Sequence, residues 1–204
     1  MGCVRIGTLH DFRSAEHAQG IRDSREGTKR VIHRGGPLHI EDTNNISPEL
    51  AASKDYQAIG AFESIKLTNC TNVRIDNLTL SRNIGASDCF VYCLSETNAP
   101  NRHLEFEGAD SCLRIDNQTV FFSTLTESLN AVIRVSFKGV HKVQYTERNE
   151  AWNGQDWGKH PALMKEPQFA NQCELRAIWT PTVEKIIQPM VTGNHRLISH
   201  CTVV

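Results

Sequence analysis

The stretch Cys89-Phe90-Val91-Tyr92-Cys93-Leu94, followed by Ser95-Glu96-Thr97-Asn98, decides how the chain is read. An unbroken apolar run of strand length predicts a central strand buried on both faces. The polar residues after it end the strand. A second run, Cys173-Glu174-Leu175-Arg176-Ala177-Ile178-Trp179, predicts a strand closed by Pro181. On extended backbone Gln172, Glu174 and Arg176 project from one face. Cys173, Leu175 and Ala177 then project from the other, toward a core.

Outward from these two strands the pattern is mixed. Val4–Leu9 predicts a first strand, Ser14–Ala18 a helical turn, and Asp23–Thr28 a turn with Gly27 as its left-handed residue. Lys29–His33 predicts a strand, and Ser47-Pro48 opens a short helix with proline at its first position. The pairs Ile65/Leu67, Val73/Ile75 and Leu78/Leu80 alternate as strands do, with Asn69, Asn72 and Asp76-Asn77 as turn residues. That segment looks like one coil of a parallel β-helix, but no second coil stacks on it.

After a strand at Ser111–Ile115, Asn117 caps an amphipathic helix carrying Val120, Phe121, Leu125 and Leu129. Val132–Phe137 and Lys142–Tyr145 are expected as a hairpin across Lys138-Gly139, and Ala162–Phe169 as a helix. Val183–Ile187 and Arg196–Val204 are expected as further strands. Strands and a few helices without βαβ regularity predict an α+β fold, with residues 1–204 as a single domain.

Composition narrows the function classes. Apolar residues at 39% and charged residues at 22% are globular values, and a net charge of −1 argues against a general nucleic-acid coat or a membrane-surface protein. No apolar run reaches the roughly 18–20 residues needed to cross a bilayer. The N-terminal residues carry no secretory pattern, and Ile6 stands where a myristoylation signal wants Ser or Thr. The seven scattered cysteines fit reduced thiols, so a cytoplasmic location is expected.

Three clusters carry candidate chemistry. Gln172, Glu174 and Arg176 set an amide, a carboxylate and a guanidinium side by side, suited to a ribose hydroxyl and a developing cation. The bland alternative is a solvent-facing edge strand with an ion pair. Ser95 and Thr97 put hydroxyls at the end of a central strand, where a turn cap is the alternative. Arg5 and Arg13 flank the first strand, and a guanidinium forks onto a diphosphate. Pairing with Asp11, Glu16 or Asp23 is the alternative for either arginine. The histidines form no metal-binding helix motif, and the cysteines carry no nucleophile signature.

In this order (Arg early, Ser after a central strand, Gln-x-Glu late) the chain resembles the ADP-ribosyltransferase superfamily. The resemblance implies a split antiparallel or mixed sheet and NAD as substrate. Arg13 or Arg5 would hold its phosphates, with Ser95 and Thr97 at the nicotinamide pocket. Gln172 would meet the acceptor and Glu174 would be catalytic, with Tyr92 or Tyr145 as candidate stacking aromatics. The superfamily's Ser-Thr-Ser triplet is reduced here to Ser95-Glu96-Thr97. The pieces L-x-D-F-R, D-x-x-E-G-T-K, C-L-S-E-T and K-x3-F-x2-Q-x-E-x-R also look like bacterial abortive-infection proteins. That implies a toxin or phage-defence effector, a protein or nucleic-acid acceptor, and an antitoxin or chaperone partner. The competing expectations are a non-catalytic binding module of a defence system and a metal-dependent nuclease.

Overall fold

A computed structural model describes residues 2–14, 16–17, 21–96 and 111–204. In chain order the elements are β1 (Cys3–Thr8), β2 (Thr28–Arg34), β3 (Leu38–Asp42), α1 (Pro48–Ala52), α2 (Lys54–Phe62), β4 (Thr71–Ile75), β5 (Thr79–Gly85) and β6 (Phe90–Ser95). They continue with β7 (Leu113–Ile115), α3 (Gln118–Asn130), β8 (Val135–Lys142), β9 (Gln144–Tyr145), β10 (Asn149–Ala151) and β11 (Met164–Lys165). β12 (Glu174–Pro181), β13 (Met190–Gly193), α4 (His195–Ile198) and β14 (Cys201–Val203) complete the chain. The class is α+β, mostly sheet. Contacts divide the chain, taken above as one domain, into two compact units. The first comprises residues 1–27, 86–146 and 161–204, and the second 28–85 and 147–160.

The first unit is built on an antiparallel sheet of order β13-β1-β6-β12-β8. The two strands that anchor the sequence reading are neighbours, with β6 third and β12 fourth. Inward residues of one face, Ile6, Phe90, Ala177 and Trp179, pack on Phe121, Phe122, Leu125 and Leu129 of α3. Asn117 caps that helix by accepting from the Val120 amide at 3.1 Å, as expected. Val120 itself lies outside the core, and Phe122 takes the buried position in its place. Burying each large apolar side chain stabilises by roughly 1.5–3 kcal/mol, so this face carries most of the unit's stability. The opposite face packs Leu9, Val91, Ala162 and Ile178, and then opens into a polar site.

The second unit holds the sheet β10-β2-β5 and the pair β3-β4. Its core gathers Val31, Ile40, Phe62, Leu80 and Trp152. Asn69 and Asn77 adopt positive φ, which fits the turns expected there; Asn72, also at positive φ, lies within β4 and not in a turn. Ile65 and Leu67 do not form a strand; they pack against this core from irregular chain.

Four further expectations are corrected. Val135–Lys142 is one strand and not half of a hairpin. Gly139, at φ 105°, sits where the register with β12 slips between Ile178 and Trp179, which is a β-bulge. Ala162–Phe169 is not an α-helix: Pro167 disfavours helical backbone at Glu166, and short 3-10 turns flank β11 instead. Val183–Ile187 forms no strand, bracketed as it is by Pro181 and Pro189. Residues 195–198 are helical, and only Cys201–Val203 is extended. The turn expected at Ser14–Ala18 falls partly outside the described residues. A 3-10 turn at Asp11–Arg13 precedes it.

Gly27 is left-handed at φ 66°, and a Cβ there would lie 2.7 Å from Leu9 Cδ2. Gly27→Ala should therefore destabilise the protein by about 1–3 kcal/mol, read as a fall in the urea midpoint at unchanged slope.

Candidate active site

The polar face of the five-stranded sheet follows from register. Glu174 lies opposite Ser95, and Arg176 opposite Cys93, on β12 and β6. Gly7 of β1 lies opposite Val91, so Arg5, two residues earlier, shares that face. Arg5, Phe12, Glu26, Cys93, Ser95, Lys165, Gln172, Glu174 and Arg176 all line one cleft of about 360 Å³.

At its floor four ionised side chains form a chain. Glu26 accepts two parallel hydrogen bonds from Arg176, at 2.8 and 2.9 Å. Arg176 Nε donates to Glu174 Oε1 at 2.6 Å, and its Nη1 also donates to the Ala162 carbonyl at 2.6 Å. Lys165 Nζ donates to Glu174 Oε2 at 2.8 Å and to Gln172 Oε1 at 2.6 Å. Each of these charged residues is no more than 4% exposed. The expected alternation of Glu174 and Arg176 onto one face is present, but the edge-strand reading is not. β12 is an interior strand, and the pair is buried against a second carboxylate and a lysine.

Burial alone would raise the pKa of Glu174. The nearby Arg176 and Lys165 charges, and the hydrogen bonds from both, overcome that and hold it at about 2. Cys89, buried at the start of β6, is pushed up to about 12 by desolvation first and by Asp88 next. Cys93 is exposed and lines the cleft; desolvation, and then the Glu174 charge, raise its pKa well above the ordinary value.

The other residues singled out from sequence fall as follows. Ser95 lines the cleft, and its Oγ donates to the Gln172 carbonyl at 3.0 Å. Gln172 reaches the cleft from the 3-10 turn Pro167–Gln172, not from β12. Left-handed backbone at Cys173 (φ 43°) breaks the expected three-residue alternation. Of the two arginines, Arg5 lines the cleft, its side chain 55% exposed and paired with Asp11 at 3.2 Å. Arg13 is not among the lining residues, and its Nε donates to the Glu26 carbonyl at 2.7 Å.

Tyr92 is among the residues lining the cleft, but its ring packs toward Phe121, on the α3 side of the sheet; Tyr145 is not among them. The Tyr145 hydroxyl accepts from the Glu174 amide at 2.6 Å and so secures the start of β12. Thr97 lies outside the described residues. Sequence reasoning did not assign Glu26, which meets Arg176 across 150 positions, or Phe12, the aromatic ring on the cleft wall. The one signal for Glu26 was a carboxylate next to the left-handed Gly27. Among the described residues, no group of three His, Cys, Asp or Glu is arranged to hold a metal ion. No helix among them is long and apolar enough to cross a membrane.

Compared with family models, with curated proteins and with solved structures, the chain matches none.

The depressed Glu174 pKa has a consequence for acid stability. A carboxylate at 4.5 when unfolded and about 2 when folded contributes stability that is complete above about pH 4.5. That contribution, on the order of 3 kcal/mol, is lost as pH falls toward 2. Denaturant melts at stepped pH should show this loss in the wild type, and Glu174→Gln should remove most of that slope.

Proposed function

We propose that the protein is an NAD-dependent ADP-ribosyltransferase, acting in the cytoplasm as a toxin or phage-defence effector. It cleaves the bond between nicotinamide and ribose and passes ADP-ribose to a protein or nucleic acid. An antitoxin or chaperone would restrain it. One observation carries the reading: Arg5, Ser95 and Glu174 come from three adjacent strands, β1, β6 and β12, onto one face and line one cleft. That is the Arg–Ser–Glu order that the superfamily resemblance requires.

The chemistry fits these side chains. As the glycosidic bond breaks, nicotinamide leaves with the bonding pair and ribose C1′ becomes cationic. An enclosed, permanently ionised carboxylate stabilises that charge. Glu174 gives one hydrogen bond site on each oxygen to Arg176 or Lys165, and each carboxylate oxygen has a second lone pair for a ribose hydroxyl. The acceptor nucleophile then bonds to C1′ and loses its proton. The floor balances two carboxylates against two cations, so it favours the nicotinamide riboside end of NAD. Arg5 at the rim is held only by a surface pair of the kind worth roughly 0–1 kcal/mol, and is free to turn to the diphosphate. Phe12 takes the stacking role that sequence reasoning offered to Tyr92 and Tyr145.

A second reading, a non-catalytic binding module, is favoured by the fact that both Glu174 oxygens are already engaged. Release of nicotinamide from labelled NAD, with cell extract as acceptor source, separates the two. Wild type should turn over, and Glu174→Gln should lose about 10³-fold or more in kcat. Arg5→Ala should raise KM for NAD by about 10–100-fold with an unchanged melting curve. A wild type inert under these conditions rejects the transferase reading.

A further inference from the structure

We infer that Glu26 is a positioning residue for Glu174, acting through Arg176; this rests on the transferase reading above. Arg176 is the only guanidinium bonded to Glu174 among the described residues, and it faces two carboxylates at once. Planar guanidinium forks dock most readily two-on-two with a carboxylate. Glu26 takes that bidentate edge, Nη1 and Nη2, at 2.8 and 2.9 Å. Glu174 receives a single hydrogen bond from Arg176, through Nε. The Ala162 carbonyl, 2.6 Å from Nη1, fixes the plane from a third direction.

Glu26 is itself anchored. The Gly27 amide donates to its Oε1 at 2.9 Å, and Arg13 Nε donates to its carbonyl at 2.7 Å. Its side chain is 1% exposed. Arg13, which sequence reasoning offered as a phosphate ligand, therefore steadies the loop that carries Glu26.

Two consequences follow for the cleft. Four of the five N–H groups of Arg176 are committed to Glu26, Ala162 and Glu174, and the residue is 1% exposed, so phosphate binding falls to Arg5 at the rim. Without the Glu26 carboxylate, the Nη edge of Arg176 is released to rotate onto Glu174. It would then grip both carboxylate oxygens and draw them away from the ribose. The loss should fall on the transition state, because the rim contacts that bind NAD are untouched.

Glu26→Gln tests this. The amide keeps one acceptor but sets an NH₂ against a guanidinium N–H, so the two-on-two dock is lost. The expected result is a kcat for nicotinamide release lower by about 10–100-fold, with KM for NAD within about threefold. In parallel, the Arg176 Nε–H signal in ¹⁵N NMR should exchange about tenfold faster or more, while the β12 amides keep their protection. Unchanged kcat, or a joint fall of kcat and β12 protection, overturns the positioning role. Should Glu26→Gln not fold, Glu26→Asp keeps the charge and withdraws the carboxylate by one methylene. It carries the same expectations at about 3–10-fold in kcat. The NMR arm needs no turnover. If the wild type releases no nicotinamide, the transferase reading fails, and Arg176 Nε–H exchange still decides whether Glu26 fixes the guanidinium.

Discussion

The chain Glu26–Arg176–Glu174–Lys165 is the constraint around which the rest of the first unit is arranged. Two anions and two cations are withdrawn from water together, and each is tolerable only because the others are in place. Desolvating such groups singly costs several kcal/mol, and removing one member of a buried pair typically costs about 3–5 kcal/mol. The network therefore ties together pieces of chain that local sequence keeps apart. The turn at Asp23–Gly27, the segment Ala162–Gln172 and strand β12 must all arrive before any of these charges is satisfied.

A buried ion network is nonetheless a weak source of stability, since apolar residues of similar volume often serve as well or better. The sheet makes that alternative visible. Its other face is apolar and closed by α3, with Phe121, Leu125 and Trp179 packed without a charge among them. The same strand β12 thus supplies core from Ala177 and Trp179 and ionised groups from Glu174 and Arg176. Stability comes chiefly from the first set. What the second set provides is direction: a carboxylate held at a fixed angle over a cleft.

This division also explains what the sequence disclosed. Period-two spacing placed Glu174 and Arg176 on one face, because alternation follows from extended backbone alone. The unbroken apolar run Cys89–Leu94 marked an interior strand, but burial on both faces holds only at its start: Phe90 and Val91 are buried, Tyr92 and Leu94 half-buried and Cys93 exposed. Glu26 stayed hidden because its partner lies 150 positions away, and no local pattern encodes such a pair. Gln172 was misplaced because a left-handed residue at Cys173 interrupts the alternation, and cysteine rarely announces that conformation. Lys138-Gly139 looked like a turn since glycine at positive φ serves both turns and bulges. Arg5 and Arg13 could not be ranked from sequence: one faces the cleft and the other a backbone carbonyl, a difference that only tertiary packing creates.

The electrostatics then limit what the cleft can do. A carboxyl held at about 2 carries no proton to donate near neutral pH, so Glu174 is excluded as a general acid. As a base it is weak, because proton-transfer efficiency rises with the pKa of the accepting group. Its remaining capacity is that of a fixed negative charge with lone pairs directed at a ligand. Such a group accelerates a reaction only where positive charge grows in the transition state. Cleavage of a glycosidic bond to a cationic leaving base, with charge passing onto the sugar, is a reaction of that kind. The cations on either side, Arg176 and Lys165, oppose the same charge through space, and this sharpens the geometric demand. On the transferase reading proposed above, the carboxylate must stand closer to the sugar than they do, which a guanidinium turned aside by Glu26 would allow.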